Sequence, residues 1–191
     1  KNNSFEVILS MAKKQEHTDV EIPAGITPTY THGKLALAKG GKSVHKDMAT
    51  PEVKVTINGQ NVVLTPINER RKTHAILHAF QSHVKNLIRG VEDGYTYKLS
   101  VVHSHFPMNI KVKGNIVEIS NYLGEKNPRL STIVGKETKV DIKGKDITVT
   151  GSNLEDVSQT AANMEKATRD TKKDQRVFQD GIYITHKGVE A

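Results

Sequence analysis

The chain has 191 residues and a net charge of +7, from 28 Lys and Arg residues against 21 Asp and Glu residues, a balance that favours polyanionic partners. Only 36% of the residues are hydrophobic and none is tryptophan, which favours two modest hydrophobic cores over one large core. The absence of cysteine excludes disulfides and cysteine-ligated zinc, and it favours an intracellular location. No apolar run approaches the length of a membrane span.

Residues 1–18 are expected to form a poorly ordered N-terminal extension. The apolar patch in this segment, Phe5 to Leu9, is too brief for the core of a signal peptide. Folded structure is therefore expected to begin near residue 19.

Two similar segments predict a duplication. The sequence KVTINGQNVVLT (54–65) alternates apolar and polar residues on both sides of an Asn-Gly pair, which predicts a β-hairpin with one buried face. The sequence KVDIKGKDITVT (139–150) repeats this pattern 85 residues later, with a Lys-Gly turn. Upstream, Pro23, Gly40 and Lys42 recur as Pro107, Gly124 and Lys126. The order of these matches indicates a tandem duplication.

A helix is predicted after each hairpin. In the first copy Pro66 is expected to open the helix and Gly90 to end it, around apolar residues at three- and four-residue spacing. In the second copy Ser152 and Glu155 match a capping box. The two apolar stripes are Leu77, Phe80, Val84 and Leu87, and Leu154, Val157, Ala161, Met164 and Thr168. An Asp-Gly pair and an aromatic strand follow each helix, as EDGYTYKLSVV and QDGIYIT.

These elements predict the fold class α+β, as a tandem duplication of two small domains. Each domain is expected to be an antiparallel sheet with one helix packed on a face. The predicted domains are the first repeat at 19–100, the second repeat at 101–186 and a C-terminal tail at 187–191, after the extension at 1–18.

One loop occupies the same place in both copies, between two strands. It reads AKGGKSVHK (38–46) in the first copy and LGEKNPR (123–129) in the second. Because neither loop leads into a helix N-terminus or has the glycine and lysine spacing of a P-loop, nucleotide binding of that kind is excluded. The cations Lys126 and Arg129 predict contact with a nucleic-acid backbone, and a solvated surface turn is the alternative.

The nine histidines do not form a recognisable metal motif. His74 and His78 lie one helical turn apart, but Ala75 stands where the HExxH zinc motif has its glutamate. His103 and His105 lie near a strand end without an evident third ligand. With no nucleophile signature and no paired carboxylates, the sequence predicts no enzyme, no metal and no cofactor; a metal-dependent hydrolase built on the histidines is the least favoured class.

A basic segment follows the second predicted helix. The sequence KATRDTKKDQR (166–176) contains five cations, opposed by Asp170 and Asp174. It is longer and more basic than its counterpart in the first copy, RGVEDG (89–94), which indicates an addition for binding. Lys and Arg side chains here could neutralise phosphates, and the planar fork of arginine could hold one bidentately. A solvated charged loop is the alternative.

Four motifs carry a resemblance to a known family: VSQTAANMEKATR, RVFQDGIYITHKG, SHFP and NYLGEKNPR. They resemble the archaeal and eukaryotic branch of one large-subunit ribosomal protein family, numbered six in bacteria and nine in eukaryotes. The resemblance extends from about Val20 to Lys187, and the archaeal form is most similar. It implies a duplicated two-domain α+β fold, in agreement with the repeat.

The resemblance also implies a role. Members of this family bind large-subunit rRNA, mainly through the second domain, near the sarcin–ricin loop and the stalk base, beside the site where translational GTPases dock. Neighbouring ribosomal proteins are implied as partners, membrane and DNA are not, and the implied location is the cytoplasmic ribosome. The predicted rRNA-binding residues are Lys126, Arg129, Lys166, Arg169, Lys172, Lys173 and Arg176.

One departure from the family concerns the loop of the first copy. Relatives have a Gly-Pro-Lys-Gly type turn there, whereas this chain has Ala-Lys-Gly-Gly-Lys at 38–42. The resemblance therefore does not predict which contacts that loop makes. An alternative function is a duplicated RNA-binding module that acts off the ribosome, in assembly or regulation, and such a protein should separate from large subunits at moderate salt.

Overall fold

The computed structural model describes residues 17–103, 106–170, 173–174 and 176–189. Most of the predicted extension, His105 and the predicted site residue Lys172 lie outside the described residues. The chain divides into two compact units. Unit 1 comprises the described residues up to Ala38 together with His45–Ile88, and unit 2 comprises Lys39–Val44 and the residues from Arg89 onward.

The first half of the chain forms two three-stranded antiparallel sheets and one helix. The elements are β1 (Thr18–Glu21), β2 (Thr27–Thr31), β3 (Lys34–Lys39), β4 (Lys42–Asp47), β5 (Val53–Asn58), β6 (Asn61–Pro66) and α1 (Arg71–Glu92). The sheets have the strand orders β1-β6-β5 and β2-β3-β4. Alternate residues of β6 are buried, and so are Leu77, Val84 and Leu87 of α1.

The second half repeats this plan with one added strand. Its elements are β7 (Tyr95–Val102), β8 (Asn109–Lys113), β9 (Ile116–Ser120), β10 (Arg129–Thr132), β11 (Lys139–Lys143), β12 (Asp146–Gly151), α2 (Leu154–Ala167) and β13 (Gly181–Gly188). The sheets have the strand orders β10-β9-β8 and β11-β12-β7-β13. Helix α2 packs against β10, β12, β7 and β13, and Val157, Ala161 and Met164 are buried in the core of this unit.

The predicted hairpins and the fold class are confirmed. In β5–β6 Asn58 faces Asn61, and in β11–β12 Lys143 faces Asp146, so each turn has two residues. The first turn residue is Gly59 or Gly144, with φ of 61° and 63°. A type II′ turn reserves this position for glycine, and its twist matches that of the paired strands. The chain is an α+β protein of small antiparallel sheets with helices.

The predicted boundaries of the first helix are wrong at both ends. Pro66 is the last residue of β6, where it faces Val53, and α1 begins at Arg71. Gly90 lies inside the helix, which continues to Glu92. The left-handed residue that follows the helix is Gly94, with φ of 81° and its N–H donated to the Arg89 carbonyl at 3.2 Å. A glycine after the last turn satisfies a terminal carbonyl in this way.

The predicted capping box of the second helix is also wrong. The N-cap is Asn153, whose side-chain oxygen accepts the N–H of Glu155 at 3.1 Å. Ser152 instead donates its hydroxyl proton to the carboxylate of Glu137. Asparagine is among the strongest N-cap residues, so a one-residue shift of the cap leaves the helix start equally well stabilised.

Most of strand β7 falls within the first predicted domain, 19–100, but the strand belongs to unit 2. It is paired with β12, where Tyr97 faces Val149, and with β13, where Leu99 faces Ile184. Unit 2 therefore begins before residue 101. The domain ranges 19–100 and 101–186 stay a prediction from the repeat. Within the described part of the chain, no helix is long and apolar enough to cross a membrane.

Candidate nucleic-acid interface

Unit 2 carries a cleft of about 600 Å³ between the end of α2, the segment that follows it and the start of β13. Three cations lie on its lining, Lys166, Arg169 and Lys173. Three aromatic side chains, Tyr122, Phe178 and Tyr183, form other parts of its wall. Three carboxylates also lie on the lining, those of Glu165, Asp170 and the buried Asp180. The cleft thus places cations beside aromatic rings, the combination found in single-stranded nucleic-acid sites.

Thr168 joins the end of α2 to the start of β13. Its buried hydroxyl accepts the N–H of Ile182 at 2.9 Å and lies 3.2 Å from the Glu165 carbonyl, to which it can donate. Thr168 is also the C-cap of α2. The end of the helix and the start of β13 are thus joined through one side chain, which places the intervening cations at the cleft.

We expect Thr168→Val to lower the free energy of unfolding by about 1–3 kcal/mol, because the substitution leaves the buried Ile182 N–H without an acceptor. Thr185→Val is the matched control, since the Thr185 hydroxyl donates to the Lys98 carbonyl at an exposed position. Its expected loss is within about 0.5 kcal/mol. Urea unfolding of the two variants measures both values. Equal losses would contradict the role of Thr168.

Asp174 organises the turn at the end of the basic segment. Its carbonyl accepts the N–H groups of Val177 and Phe178 at 3.1 and 2.9 Å, and its carboxylate accepts the Arg176 N–H at 3.0 Å. This turn brings Phe178 back beneath Lys173, whose Nζ lies 4.7 Å from the centre of the ring. Asp174 therefore shapes the segment, in the manner of an Asx turn.

The loop Asn121–Leu130 inserts an aromatic ring into the protein. Asn121 and Leu123 have φ of 62° and 48°, and the short 3-10 turn Tyr122–Gly124, which follows Asn121, buries Tyr122. The Tyr122 hydroxyl donates to the Asp180 carbonyl at 3.3 Å, and burial raises the pKa of this phenol. The guanidinium of Arg129 lies over the ring, with Cζ 4.1 Å from its centre.

Arg129 is bonded within the protein through all three of its nitrogen atoms. Nε and Nη2 donate to the two carboxylate oxygens of Glu125 at 2.8 and 2.6 Å, and Nη1 donates to the Ala167 carbonyl at 3.0 Å. These hydrogen bonds hold the pKa of Glu125 below its usual range. Arg129 therefore holds this loop against the end of α2. Lys126, in the same loop, is exposed.

The structure brings together only part of the predicted set. Lys166, Arg169 and Lys173 line the cleft, while Lys126, Arg129 and Arg176 are not among its lining residues. Sequence reasoning missed the aromatic wall. The signal for it was the aromatic content of FQDGIY directly after the basic segment, a pattern that predicts a strand and does not by itself predict a binding surface.

The corresponding loop of the first half is a tight turn. Gly40 and Gly41 have φ of 57° and 87°, the two positive values that a type I′ turn requires. Proline, whose φ is fixed near about −65°, is excluded from both positions.

The histidines that the structure describes do not converge on a metal site. Among the residues that the structure describes, no group of three or more His, Asp or Glu side chains is placed to hold a metal ion.

Comparison with known proteins decides the family. A family model described as Ribosomal protein L6 matches residues 106–181, which include most of the residues that line the cleft but not Ile182 and Tyr183. The large ribosomal subunit protein uL6 of Methanosphaera stadtmanae is 38% identical over 181 residues, covering 94% of this chain and 98% of that protein. The chain belongs to the ribosomal protein L6 family. The uL6 proteins of Methanosarcina mazei and Haloarcula marismortui are 43% and 41% identical, each over 88% of this chain.

Membership in the L6 family confirms the resemblance of the four motifs. Proteins of this family are structural components of the ribosome and not enzymes, which agrees with the lack of a catalytic signature in the sequence. This chain in turn covers nearly all of these relatives, 94% of the Haloarcula protein and 95% of the Methanosarcina protein. Both halves of the chain therefore take part in the match.

Proposed function

We propose that the chain is a constituent of the large ribosomal subunit that binds rRNA through the cleft face of unit 2. The contact region is proposed to lie near the sarcin–ricin loop and the stalk base, where the protein would support the region at which translational GTPases dock. Neighbouring ribosomal proteins would be its other partners, on the cytoplasmic ribosome. Family membership and the cation-lined cleft support this proposal.

The observation that carries the proposal is the arrangement of exposed cations around one cleft. Lys166, Arg169 and Lys173 are exposed and line the same concave surface. Among the described residues, Lys166 and Arg169 make no side-chain hydrogen bond or ion pair. Cations left in water beside aromatic surface are available to neutralise phosphates, and this term supplies most of the affinity of sequence-independent RNA binding.

The proposed roles differ between the two loops. The proposed phosphate contacts are Lys126, Lys166, Arg169, Lys172, Lys173 and Arg176. Arg129 is proposed to position Lys126 by fixing the loop, because its donors are bonded to Glu125 and Ala167. We expect most of the free energy of rRNA binding to come from phosphate neutralisation and shape complementarity, with few hydrogen bonds to base edges.

The salt dependence of binding tests the proposal. We expect Lys166→Ala/Arg169→Ala to reduce the slope of log K against log salt by about 1.5, because each lost phosphate contact removes about 0.7–0.9. The expected loss of affinity for large-subunit rRNA is about 10- to 30-fold at about 0.15 M salt. Filter binding of the full chain measures both quantities.

Lys111→Ala/Lys143→Ala is the charge-matched control. Lys111 and Lys143 are exposed residues of β8 and β11, and neither lines the cleft. For this control, the slope of log K against log salt should fall by less than half as much as for Lys166→Ala/Arg169→Ala. Equal changes in the two double variants would contradict a specific role for the cleft.

A second experiment separates a ribosomal constituent from an assembly factor. A ribosomal constituent should co-sediment with large subunits at moderate salt, whereas an assembly factor should not.

A further inference from the structure

One aromatic side chain of the cleft is exposed although it is firmly held. Tyr183, on β13, is 42% exposed and lines the cleft. Its hydroxyl donates to the Gln179 carbonyl at 3.2 Å. Its ring lies against Gly181, where an added Cβ would stand 3.1 Å from the ring Cζ and from the hydroxyl oxygen. The glycine thus lets the ring rest on the backbone, so the ring is positioned before any ligand arrives.

The other two rings of the cleft are covered by cations. Arg129 lies over Tyr122, which is buried, and Lys173 lies over Phe178. Tyr183 is therefore the cleft aromatic with the largest exposed fraction, in a chain where aromatic residues are only 5% of the total. Exposed, pre-positioned aromatic rings beside cations are the usual platforms for bases of single-stranded nucleic acid.

We propose that the cleft holds one unpaired nucleobase of rRNA stacked on Tyr183, with the adjoining phosphates on Lys166, Arg169 and Lys173. This inference rests on the proposed function and specifies the chemical unit that enters the cleft. A volume of about 600 Å³ suits a small ligand such as one nucleotide. A base paired in a helix presents no free face, so the occupant is a nucleotide of a loop, bulge or end.

The test separates base contacts from backbone contacts. Full-length protein is bound to purified large-subunit rRNA and probed with hydroxyl radicals, which report the backbone, and with dimethyl sulfate, kethoxal and carbodiimide, which report unpaired bases. We expect the wild-type chain to protect at least one unpaired base within its backbone footprint. Tyr183→Leu should lose that base protection and about 5- to 150-fold in affinity, while the backbone footprint remains.

Tyr183→Phe is the matched variant, because it keeps the ring and removes only the hydroxyl bond to Gln179. It should keep the base protection. If Tyr183→Leu protects the same base as wild type, or if Tyr183→Phe loses protection as fully as Tyr183→Leu, stacking on Tyr183 is overturned while rRNA binding stands. If wild-type protein leaves no backbone footprint, the proposed function itself fails.

Discussion

Replacing Gly90 by alanine should destabilise the protein by about 2–3 kcal/mol. In an exposed helix interior the same change is stabilising by about 1 kcal/mol, because alanine has the higher helix propensity. Here a Cβ would lie 2.1 Å from the Ser152 carbonyl oxygen and 3.1 Å from Cε2 of Tyr95. The first contact is with backbone held by the start of α2, so the clash has no flexible side chain to relieve it.

The measurement for Gly90→Ala is equilibrium unfolding in urea, compared with His78→Ala. His78 is an exposed residue of the same helix, where alanine should be neutral or slightly stabilising. A clear loss of stability is expected for Gly90→Ala and no loss for His78→Ala. A stabilising effect at position 90 would show that α1 does not approach Ser152 as closely as described.

Arg129→Ala should lower the free energy of unfolding by about 2–3 kcal/mol, because charge-assisted hydrogen bonds are lost and their partners stay behind. The substitution removes two bonds to Glu125, one to the Ala167 carbonyl and the contact over Tyr122. The Arg129 side chain is 24% exposed, so water replaces these bonds only in part. Arg129→Lys should lose most of the same stability, since a lysine cannot reproduce the planar fork.

The pH dependence provides a second readout for this pair. Because the hydrogen bonds of Arg129 lower the pKa of Glu125 in the folded state, the carboxylate contributes stability above the ordinary glutamate range. That contribution is lost as pH falls through the lowered pKa. Arg129→Ala should therefore flatten the acid side of the stability curve. The effect is small, since the Glu125 side chain is 42% exposed.

Binding data distinguish two roles for Arg129. If Arg129 only positions the loop, its replacement by alanine lowers stability and affinity for rRNA together. If Arg129 itself holds a phosphate, as the sequence predicts, affinity falls while stability is kept. Unfolding and filter binding on the same variant decide between them, and unchanged stability would contradict the positioning role.

Strong local signals made much of the fold predictable. The Asn-Gly and Lys-Gly hairpins, the duplication and the α2 stripe depend on residues that act over a few positions, and all are present. Boundaries were predicted less well because they depend on tertiary contacts. Gly90 resembles a helix stop in the sequence, whereas in the structure it makes room for the Ser152 carbonyl from a distant segment.

The candidate site shows the same division. The cations Lys166, Arg169 and Lys173 could be found from charge density alone, and all three line the cleft. The internal hydrogen bonds of Arg129 could not be predicted from charge density, because they depend on Glu125 in the same loop and on Ala167 at the end of a helix. Tyr183 was missed for a similar reason: the position of its ring depends on the close approach to the backbone of Gly181.

Directed cleavage of rRNA tests the central claim most directly. The chain has no cysteine, so a single one can be introduced and loaded with an iron–EDTA reagent that cuts nearby RNA. Ala162→Cys places the reagent at an exposed position on the cleft, and Lys143→Cys places it on β11, where the side chain is 82% exposed. In reconstituted large subunits the account predicts strong cuts near the sarcin–ricin loop from position 162 and weaker cuts from position 143. Cuts from position 143 with none from position 162 would contradict it.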